Sequence, residues 1–235
     1  MKLLALDSSG LTASVAYTED SVLRAEYTVD YKKTHSQTLL PMLDEITRMV
    51  GFDPADADAI AVSCGPGSFT GLRIGSSTAK GICLALGKPL IEVPTLAALA
   101  YNLFGANGLI CPIMDARRSQ VYNGLYYFKG SELVTLKDQR ALAVEDLALE
   151  LNSMNPEQVI LLGDGVQVYR ERLDSLLTVP HLYAPPSCGR QRAASVASYG
   201  AVLFSQGKAI PGSQHAPLYL RKSQAERERE QKGLS

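Results

Sequence analysis

The chain has 235 residues, 46% of them hydrophobic, and 23 basic side chains nearly balance 24 acidic ones to give a formal net charge of −1. This apolar content is enough for a buried core, which argues against disorder over most of the chain. A protein that holds nucleic acid unaided carries a basic excess, and this balance argues against that class. We expect any RNA substrate to be gripped largely by another subunit.

The cysteines and histidines are scattered, and neither set shows the spacing of a metal site. They are Cys64, Cys83, Cys111 and Cys188, with His35, His181 and His215. The first residues lack the apolar core of a signal peptide, and no apolar run is long enough to span a bilayer. We therefore predict a cytoplasmic protein with reduced thiols, no metal and no membrane contact.

The first third of the chain predicts three strands and a helix. Short apolar or alternating runs place strands at residues 3–6, 14–17 and 22–29. Thr34 and Gln37 have capping-box spacing, so a helix is expected from Thr34 to Val50, closed by Gly51. Its main apolar stripe leaves Met42 and Met49 on a second face, which indicates a partner surface or simple gap filling.

The next elements alternate, which is typical of an α/β layer structure. A strand at 59–62 leads through a glycine loop at 65–71 into a helix at about 70–86, followed by a strand at 90–93 and a helix at 95–104. After a link at 105–108 the pattern of three strands and then alternating helix and strand occurs again, with strands at 109–114, 120–128, 133–136 and 159–162. Helices are expected at 144–151, 166–173 and 193–206. We predict lobes at 1–105 and 106–220, and a flexible charged tail at 221–235.

Two turns have the composition of phosphate-binding loops. Asp7, Ser8 and Ser9 follow the first strand, where hydroxyls and backbone N–H groups can hold a phosphate and a carboxylate can hold hydrated Mg²⁺. Gly65 and Gly67 precede a helix N-terminus, which favours an anion. These residue types are also ordinary turn formers. The glycine loop fits neither the Walker A pattern nor the dinucleotide fingerprint.

The helix after the glycine loop carries small residues four apart, at Gly71, Gly75 and Ala79. Such a stripe allows another backbone to approach, either inside the lobe or across a dimer. Together with the second face of the preceding helix it predicts a surface for a partner or a second copy. The predicted interface residues are Leu39, Met42, Met49, Gly71, Ile74, Gly75 and Thr78.

Taken in order, the motifs resemble the TsaB (YeaZ-like) family over nearly the whole chain. They are LALDSS, HSQTLLPML, SCGPGSFTGLRIGSSTAKG, PLIEVPTLAALA, MDARRSQVY and PLYLRKSQAE. The resemblance implies an ASKHA (actin, sugar kinase, Hsp70-like) α/β fold of two ribonuclease-H-like lobes. It also implies a subunit that pairs with TsaD, works with the ATPase TsaE and meets tRNA only through that complex during N6-threonylcarbamoylation of adenosine 37. A homodimer is the alternative resting state.

Several positions depart from the catalytic relative TsaD. Thr95 and Leu99 stand where that protein has its metal-binding histidine pair, and residues 115–118 replace a second glycine-rich phosphate loop. Gly163 and Gly165 are a remnant of an adenosine-binding loop. Gln120 stands where the TsaB motif usually has Glu. The resemblance therefore implies no catalytic residue and no cofactor of its own, apart from a nucleotide held weakly at a subunit interface.

Two other functions remain open from the sequence. An independent ASKHA-type ATPase, kinase or peptidase would use Asp7 and the Gly65 loop. A direct RNA-binding module would need a basic face, and the fold would have to gather Arg117, Arg118, Arg190, Arg192, Arg221 and Lys222.

Overall fold

The computed structural model describes residues 1–31 and 34–221, and within them the chain forms two sheets with helices against their faces. The predicted tail at 221–235 lies outside the described residues except for Arg221. The strands are β1 (Lys2–Asp7), β2 (Ala13–Glu19), β3 (Val22–Val29), β4 (Ala59–Gly65), β5 (Pro89–Pro94), β6 (Leu109–Arg117), β7 (Gln120–Lys129), β8 (Glu132–Ala143), β9 (Val159–Leu162), β10 (His181–Tyr183) and β11 (Ala209–Pro211). The helices are α1 (His35–Val50), α2 (Phe69–Leu86), α3 (Thr95–Tyr101), α4 (Val144–Met154), α5 (Gly165–Leu176) and α6 (Ala193–Ser205).

The first sheet has the strand order β11-β5-β4-β1-β2-β3. Strand β1 runs antiparallel to β2 and parallel to β4. Because side chains alternate across a strand, Leu4 and Leu6 face the core shared with α1 and α2, whereas Leu3 and Ala5 face α6. Burial on both faces explains why residues 3–6 are continuously apolar.

The second sheet has the order β10-β9-β6-β7-β8, with the same combination of an antiparallel meander and parallel neighbours. Helices α4 and α5 cover one face through a core that includes Leu147, Leu151 and Leu173. On the other face, Leu96 and Leu99 of α3 pack against the sheet. Helix α3 thus lies between the sheets.

The last elements return to the first sheet. Helix α6 packs across β1, β2 and β5, and β11 pairs antiparallel with β5 at the sheet edge. The division into lobes between residues 105 and 106 stays a prediction. If each lobe is defined by its sheet, α6 and β11 belong to the first lobe although they lie after residue 106 in the sequence. These long-range contacts leave no local pattern in the sequence.

Most element positions match the prediction, and the differences have local causes. Helix α1 begins after Thr34, but the capping box does not form: the Thr34 side chain makes no cap hydrogen bond, and only its backbone oxygen accepts from Gln37 N, at 2.9 Å. Gly51 closes α1 in the left-handed conformation, as predicted. The prediction for α3 was too long, because the helix ends at Tyr101 and residues 102–104 form turns. Strand β8 is much longer than the predicted 133–136, and β10 and β11 were not predicted.

Among the described residues, no helix combines the length and the hydropathy needed to cross a bilayer.

Candidate functional site

The Asp7 carboxylate lies at the end of β1 and is fully engaged by the chain itself. Its Oδ1 accepts hydrogen bonds from Ser9 N at 2.9 Å and Ser9 Oγ at 2.7 Å, and its Oδ2 accepts one from Ser63 Oγ at 2.6 Å. Asp7 is 1% exposed. Burial raises the pKa of this carboxyl group, and the three donors oppose that shift.

Helix α2 closes over the same turn through its small residues. Ser8 Oγ donates to the carbonyl oxygen of Gly71 at 2.8 Å, and Ser68 N donates to the carbonyl oxygen of Ser9 at 2.6 Å. A Cβ atom at Gly71 or Gly75 would collide with Ser8. The small-residue stripe therefore serves packing inside the chain, the first of the two roles considered from the sequence.

The contacts between the Asp7 turn and α2 limit which groups of the turn are available to a ligand. The hydroxyl protons of Ser8 and Ser9 are both donated within the chain, and so is the backbone N–H of Ser9. A Cβ atom at Gly67 would also collide with the Ser9 carbonyl oxygen, because the two loops already touch. In the turn as folded, these three donors and both oxygens of the Asp7 carboxylate are used within the chain, which leaves them less available to a phosphate or to hydrated Mg²⁺.

An open cleft of about 710 Å³ lies between the Ser9–Gly10 turn, the start of α2 and the end of β6. Its far wall includes Asp115 and Asp164. Asp115 Oδ1 accepts from Tyr169 Oη at 2.8 Å and from Arg117 N at 2.8 Å. Asp164 is 8% exposed, and burial raises its pKa to about 6.

The two turns on this wall differ in how they use glycine. A Cβ atom at Gly163, where φ is +105°, would collide with the carbonyl oxygen of Ile113, and one at Gly165 would lie 3.0 Å from that oxygen. These glycines therefore pack the turn onto β6. In the turn that follows β6, Arg117, Arg118 and Ser119 all have positive φ, between 56° and 62°. Arginine side chains thus stand where a glycine loop would let a phosphate approach.

The C-terminal segment 216–221 crosses from the first sheet to the second along this cleft. Leu218 N donates to the carbonyl oxygen of Cys64 at 2.6 Å, and the Tyr219 ring stacks on Phe69 with centroids 4.3 Å apart. Arg221 donates to the carbonyl oxygen of Ala116. A Cβ atom at Gly65 would collide with the Leu218 carbonyl oxygen, so this glycine also serves packing.

A groove of about 430 Å³ lies between α1 and α2, and we call it the α1–α2 groove. It is lined by His35, Ser36, Leu39, Leu40, Phe69, Thr70, Arg73, Ile74, Ser77 and Thr78. Of the predicted interface residues, Ile74 and Thr78 are half-buried here, and Met49 is exposed on α1. Leu39 and Met42 are 1% and 4% exposed, because they belong to the core beneath α1.

The prediction missed seven of the ten groove residues, among them Leu40, Phe69 and Arg73. Leu40 is 54% exposed, although it lies in a helix whose other leucines are buried. Phe69 and Arg73 are one helical turn apart on α2, with the Arg73 guanidinium 4.1 Å from the centre of the Phe69 ring. The signal available in the sequence for Leu40 was an apolar residue outside the predicted stripe of α1.

A buried polar cluster also escaped the sequence, because its members are far apart in the chain. His215 Nε2 lies 2.7 Å from Ser76 Oγ, and its Nδ1 lies 2.6 Å from Glu92 Oε1. Lys80 Nζ donates to the His215 carbonyl oxygen at 2.9 Å. Ser76 is 3% exposed and lines neither the cleft nor the groove, so this cluster anchors the C-terminal segment to α2 and β5.

The positions that depart from TsaD, and Gln120, which departs from the TsaB motif, have structural partners. Thr95 Oγ1 accepts from Gly65 N at 3.1 Å, and Leu99 is 1% exposed in the core between the sheets. The backbone oxygen of Gln120 accepts from Tyr169 Oη at 3.4 Å. In the part of the chain that the structure describes, no three His, Cys, Asp or Glu side chains are grouped so as to share a metal ion.

Comparison with known proteins places these features in a family. A family model described as TsaD, tRNA N6-adenosine threonylcarbamoyltransferase, matches residues 25–228. The tRNA threonylcarbamoyladenosine biosynthesis protein TsaB of Bacillus subtilis is 31% identical over 226 residues, which cover 96% of each chain. The solved structure of YeaZ from Pseudomonas aeruginosa superposes with a TM-score of 0.80 at 28% identity, covering 93% of this chain and 99% of that one.

The fold extends beyond these relatives. An inorganic polyphosphate/ATP-glucomannokinase from Arthrobacter sp. strain KM superposes with a TM-score of 0.54 at 12% identity, covering 86% of this chain and 98% of the kinase. This likeness shows the fold alone, and it confirms the predicted architecture shared with sugar kinases. Coverage and identity together confirm the resemblance drawn from the motifs: the chain belongs to the TsaB (YeaZ) family.

Proposed function

We propose that this chain is a non-catalytic subunit of the machinery that makes N6-threonylcarbamoyladenosine at position 37 of tRNA. Family membership supports the pathway. The observation that carries the non-catalytic role is the Asp7 turn, whose carboxylate and serine hydroxyls are all hydrogen-bonded within the chain. Since these groups at the position where an ASKHA enzyme holds its nucleotide are already used within the chain, we assign the chemistry to a partner.

The proposed partner is a TsaD-type transferase, acting with a TsaE-type ATPase in the cytoplasm. The α1–α2 groove is the proposed docking surface, because the exposed Leu40 and the half-buried Ile74 give it an apolar centre. Ser36, Ser77 and Arg73 supply a polar edge, and an apolar centre with a polar rim is the usual anatomy of a protein interface. A second copy of the chain could occupy the same groove when the transferase is absent.

A matched pair of leucine substitutions tests the docking surface. Leu40→Asp places a charge in the α1–α2 groove, whereas Leu84→Asp places one on α2 at a leucine that is 87% exposed and outside the groove. Burying an unpaired charge at an interface centre is costly, so we expect Leu40→Asp to weaken binding to TsaD by about 30-fold. Calorimetric titration should show Leu84→Asp binding like the wild type. Equal affinity for both variants would contradict this docking surface.

Transfer activity tests the role itself. Threonylcarbamoyl transfer to tRNA is measured with TsaC, TsaD and TsaE, with and without this chain, and with the chain alone. We expect activity to require the chain, and none from the chain by itself. Sustained ATP turnover by the isolated chain that is lost in Asp7→Ala would instead establish the independent enzyme considered from the sequence.

A further inference from the structure

The arginines of the described residues fall into two groups. Seven of the eleven form an ion pair with a carboxylate: Arg24, Arg48, Arg140, Arg170, Arg172, Arg190 and Arg192. The pairs that Arg190 and Arg192 make with Asp30 and Glu26 remove both from the basic face considered in the sequence, and Lys222 lies outside the described residues. The other four have no carboxylate partner among residues 1–31 and 34–221. They are Arg73, Arg117, Arg118 and Arg221, and we call them the arginine rim.

The arginine rim is continuous through contacts with the C-terminal segment. Arg73 Nε donates to Tyr219 Oη at 3.3 Å. Two residues later Arg221 donates to the carbonyl oxygen of Ala116, the residue before Arg117. Arg117 and Arg221 line the cleft, and Arg73 lines the adjoining α1–α2 groove. The described arginines that have no carboxylate partner therefore lie together, although the net charge is −1.

Aromatic rings lie among these charges. Tyr219 is 37% exposed and stacks on Phe69, with Arg73 over the Phe69 ring. Tyr31 also lines the cleft and is 71% exposed. Single-stranded nucleic acid is held by this combination, in which arginines neutralise phosphates and flat side chains stack on bases. An acidic peptide would use the arginines but would leave the rings without a role.

The acidic groups of the cleft do not cancel the rim. Asp164 is 8% exposed, and Asp115 is half-buried with its Oδ1 covered by Tyr169 and the Arg117 backbone. Arg117 and Arg118 lie at the β6–β7 turn, where the backbone is left-handed, and both are exposed to solvent. Phosphates approaching from solvent would meet the arginines before the carboxylates.

We propose that the arginine rim and the Tyr219–Phe69 pair bind a single-stranded segment of RNA directly. This inference rests on the proposed function for the identity of that RNA, which is the anticodon loop or another unpaired part of the tRNA substrate. It adds a direct contact to the expectation that tRNA meets the chain only through the complex. Contact from this rim would leave most of the α1–α2 groove to the protein partner, with Phe69 and Arg73 at the boundary between the two surfaces.

The test measures binding of a fluorescein-labelled single-stranded RNA with an anticodon-loop sequence to the full chain by fluorescence anisotropy. Arg117→Asn/Arg118→Asn removes two rim charges while keeping residues that tolerate positive φ. Arg24→Gln/Arg170→Gln removes two charges that are paired and lie outside the cleft. We expect the rim variant to bind about 10-fold more weakly and its salt slope to fall by about 1.4, since each lost phosphate contact on a single strand contributes about 0.7.

Stacking gives a second, independent readout. We expect Tyr219→Ala to weaken binding by about 10-fold without changing the salt slope, because it removes a ring and no charge. Equal losses in the rim and control variants, or binding of polyglutamate in place of RNA, would overturn the inference. Far-ultraviolet circular dichroism checks that each variant is folded.

The outcome is separable from the fate of the proposed function. RNA binding is measured on the chain alone, whereas partner docking is measured with TsaD and the Leu40→Asp variant. If TsaD binds but the rim variant holds RNA as tightly as the wild type, only the RNA contact is wrong. If RNA binds through the rim while TsaD does not bind, the proposed function is wrong and the RNA contact stands.

Discussion

Ser63 Oγ donates a hydrogen bond of 2.6 Å to Oδ2 of Asp7, joining the ends of two neighbouring parallel strands. Ser9 donates two further hydrogen bonds to the same carboxylate. Asp7, which the sequence offered as a residue of an independent enzyme, is therefore a buried side chain that connects β1, the following turn and β4. Contacts within the chain thus hold the Asp7 turn in place.

Gly75→Ala should lower the free energy of unfolding by about 1–3 kcal/mol, because its Cβ would collide with the Ser8 hydroxyl and force the turn off α2. Gly81 lies in the same helix, and an added methyl group there would meet no atom within 4 Å, so it is the matched control. Gly81→Ala should be neutral or stabilise by about 0.5–1 kcal/mol, as expected for an unhindered helix glycine. Urea unfolding measures both, and equal effects would contradict the close approach.

Asp164 should make stability depend on pH between about 4 and 6. Its pKa is about 6 in the folded chain, above the value of about 3.9 for an unfolded aspartate. Below pH 4 both states hold the proton. As pH rises the unfolded state loses it first, so the free energy of unfolding falls, by about 3 kcal/mol once pH exceeds 6.

Asp164→Asn removes this titration and keeps an oxygen that can accept from Asp115 N. The difference in unfolding free energy between variant and wild type should therefore grow in favour of the variant from pH 4 to pH 7. Denaturant unfolding at several pH values measures it, and the other carboxylates cancel in the difference. A difference that stays constant with pH would show that the Asp164 carboxyl is not buried as described.

His215→Ala should destabilise the chain by about 2–4 kcal/mol, since it leaves Ser76 Oγ without a partner in the interior and opens a cavity. Glu92→Gln keeps an oxygen opposite His215 Nδ1, and Glu92 is partly exposed, so its loss should be smaller. Thermal unfolding compares the two. A His215→Ala variant as stable as Glu92→Gln would remove the anchoring role.

The thiols should differ sharply in reactivity. Burial raises the pKa of Cys64 and of Cys111 to about 12, and that of Cys83 to about 11, so almost no thiolate is present at neutral pH. Cys188 is only half-buried. A thiol reagent applied to the native chain should modify about one cysteine quickly, and Cys188→Ser should abolish that phase. Rapid modification of a second thiol would mean that the core opens.

The sequence predicted the elements whose cause is local. An apolar run flanked by turn residues placed β1, and glycine in the left-handed conformation ended α1. The partner of the Gly71 and Gly75 stripe was beyond reach, because Ser8 lies more than sixty residues away and nothing in its neighbourhood records the contact. For the same reason His215 looked isolated.

The candidate site was predicted in composition but not in arrangement. Asp7 and Gly65 are the last residues of β1 and β4, beside the turns in which they were predicted, and Gly163 lies in a bend as predicted. Whether such a turn binds a ligand depends on which donors its neighbours have already used. Leu39 and Met42 show a related limit, since a helix with apolar residues on two faces does not reveal which face is the core. The roles of the predicted interface residues stay predictions.

The return of α6 and β11 to the first sheet has a consequence for how the chain is made. While a ribosome synthesises residues 1–105, the part of β1, β4 and β5 that packs against α6 in the complete chain is still exposed. The edge of β5 that pairs with β11 is also open at that stage. Exposed apolar faces and open strand edges invite aggregation of nascent chains. The first sheet can be completed only after nearly the whole chain has emerged, so we expect premature termination before residue 193 to yield an insoluble fragment rather than a working half.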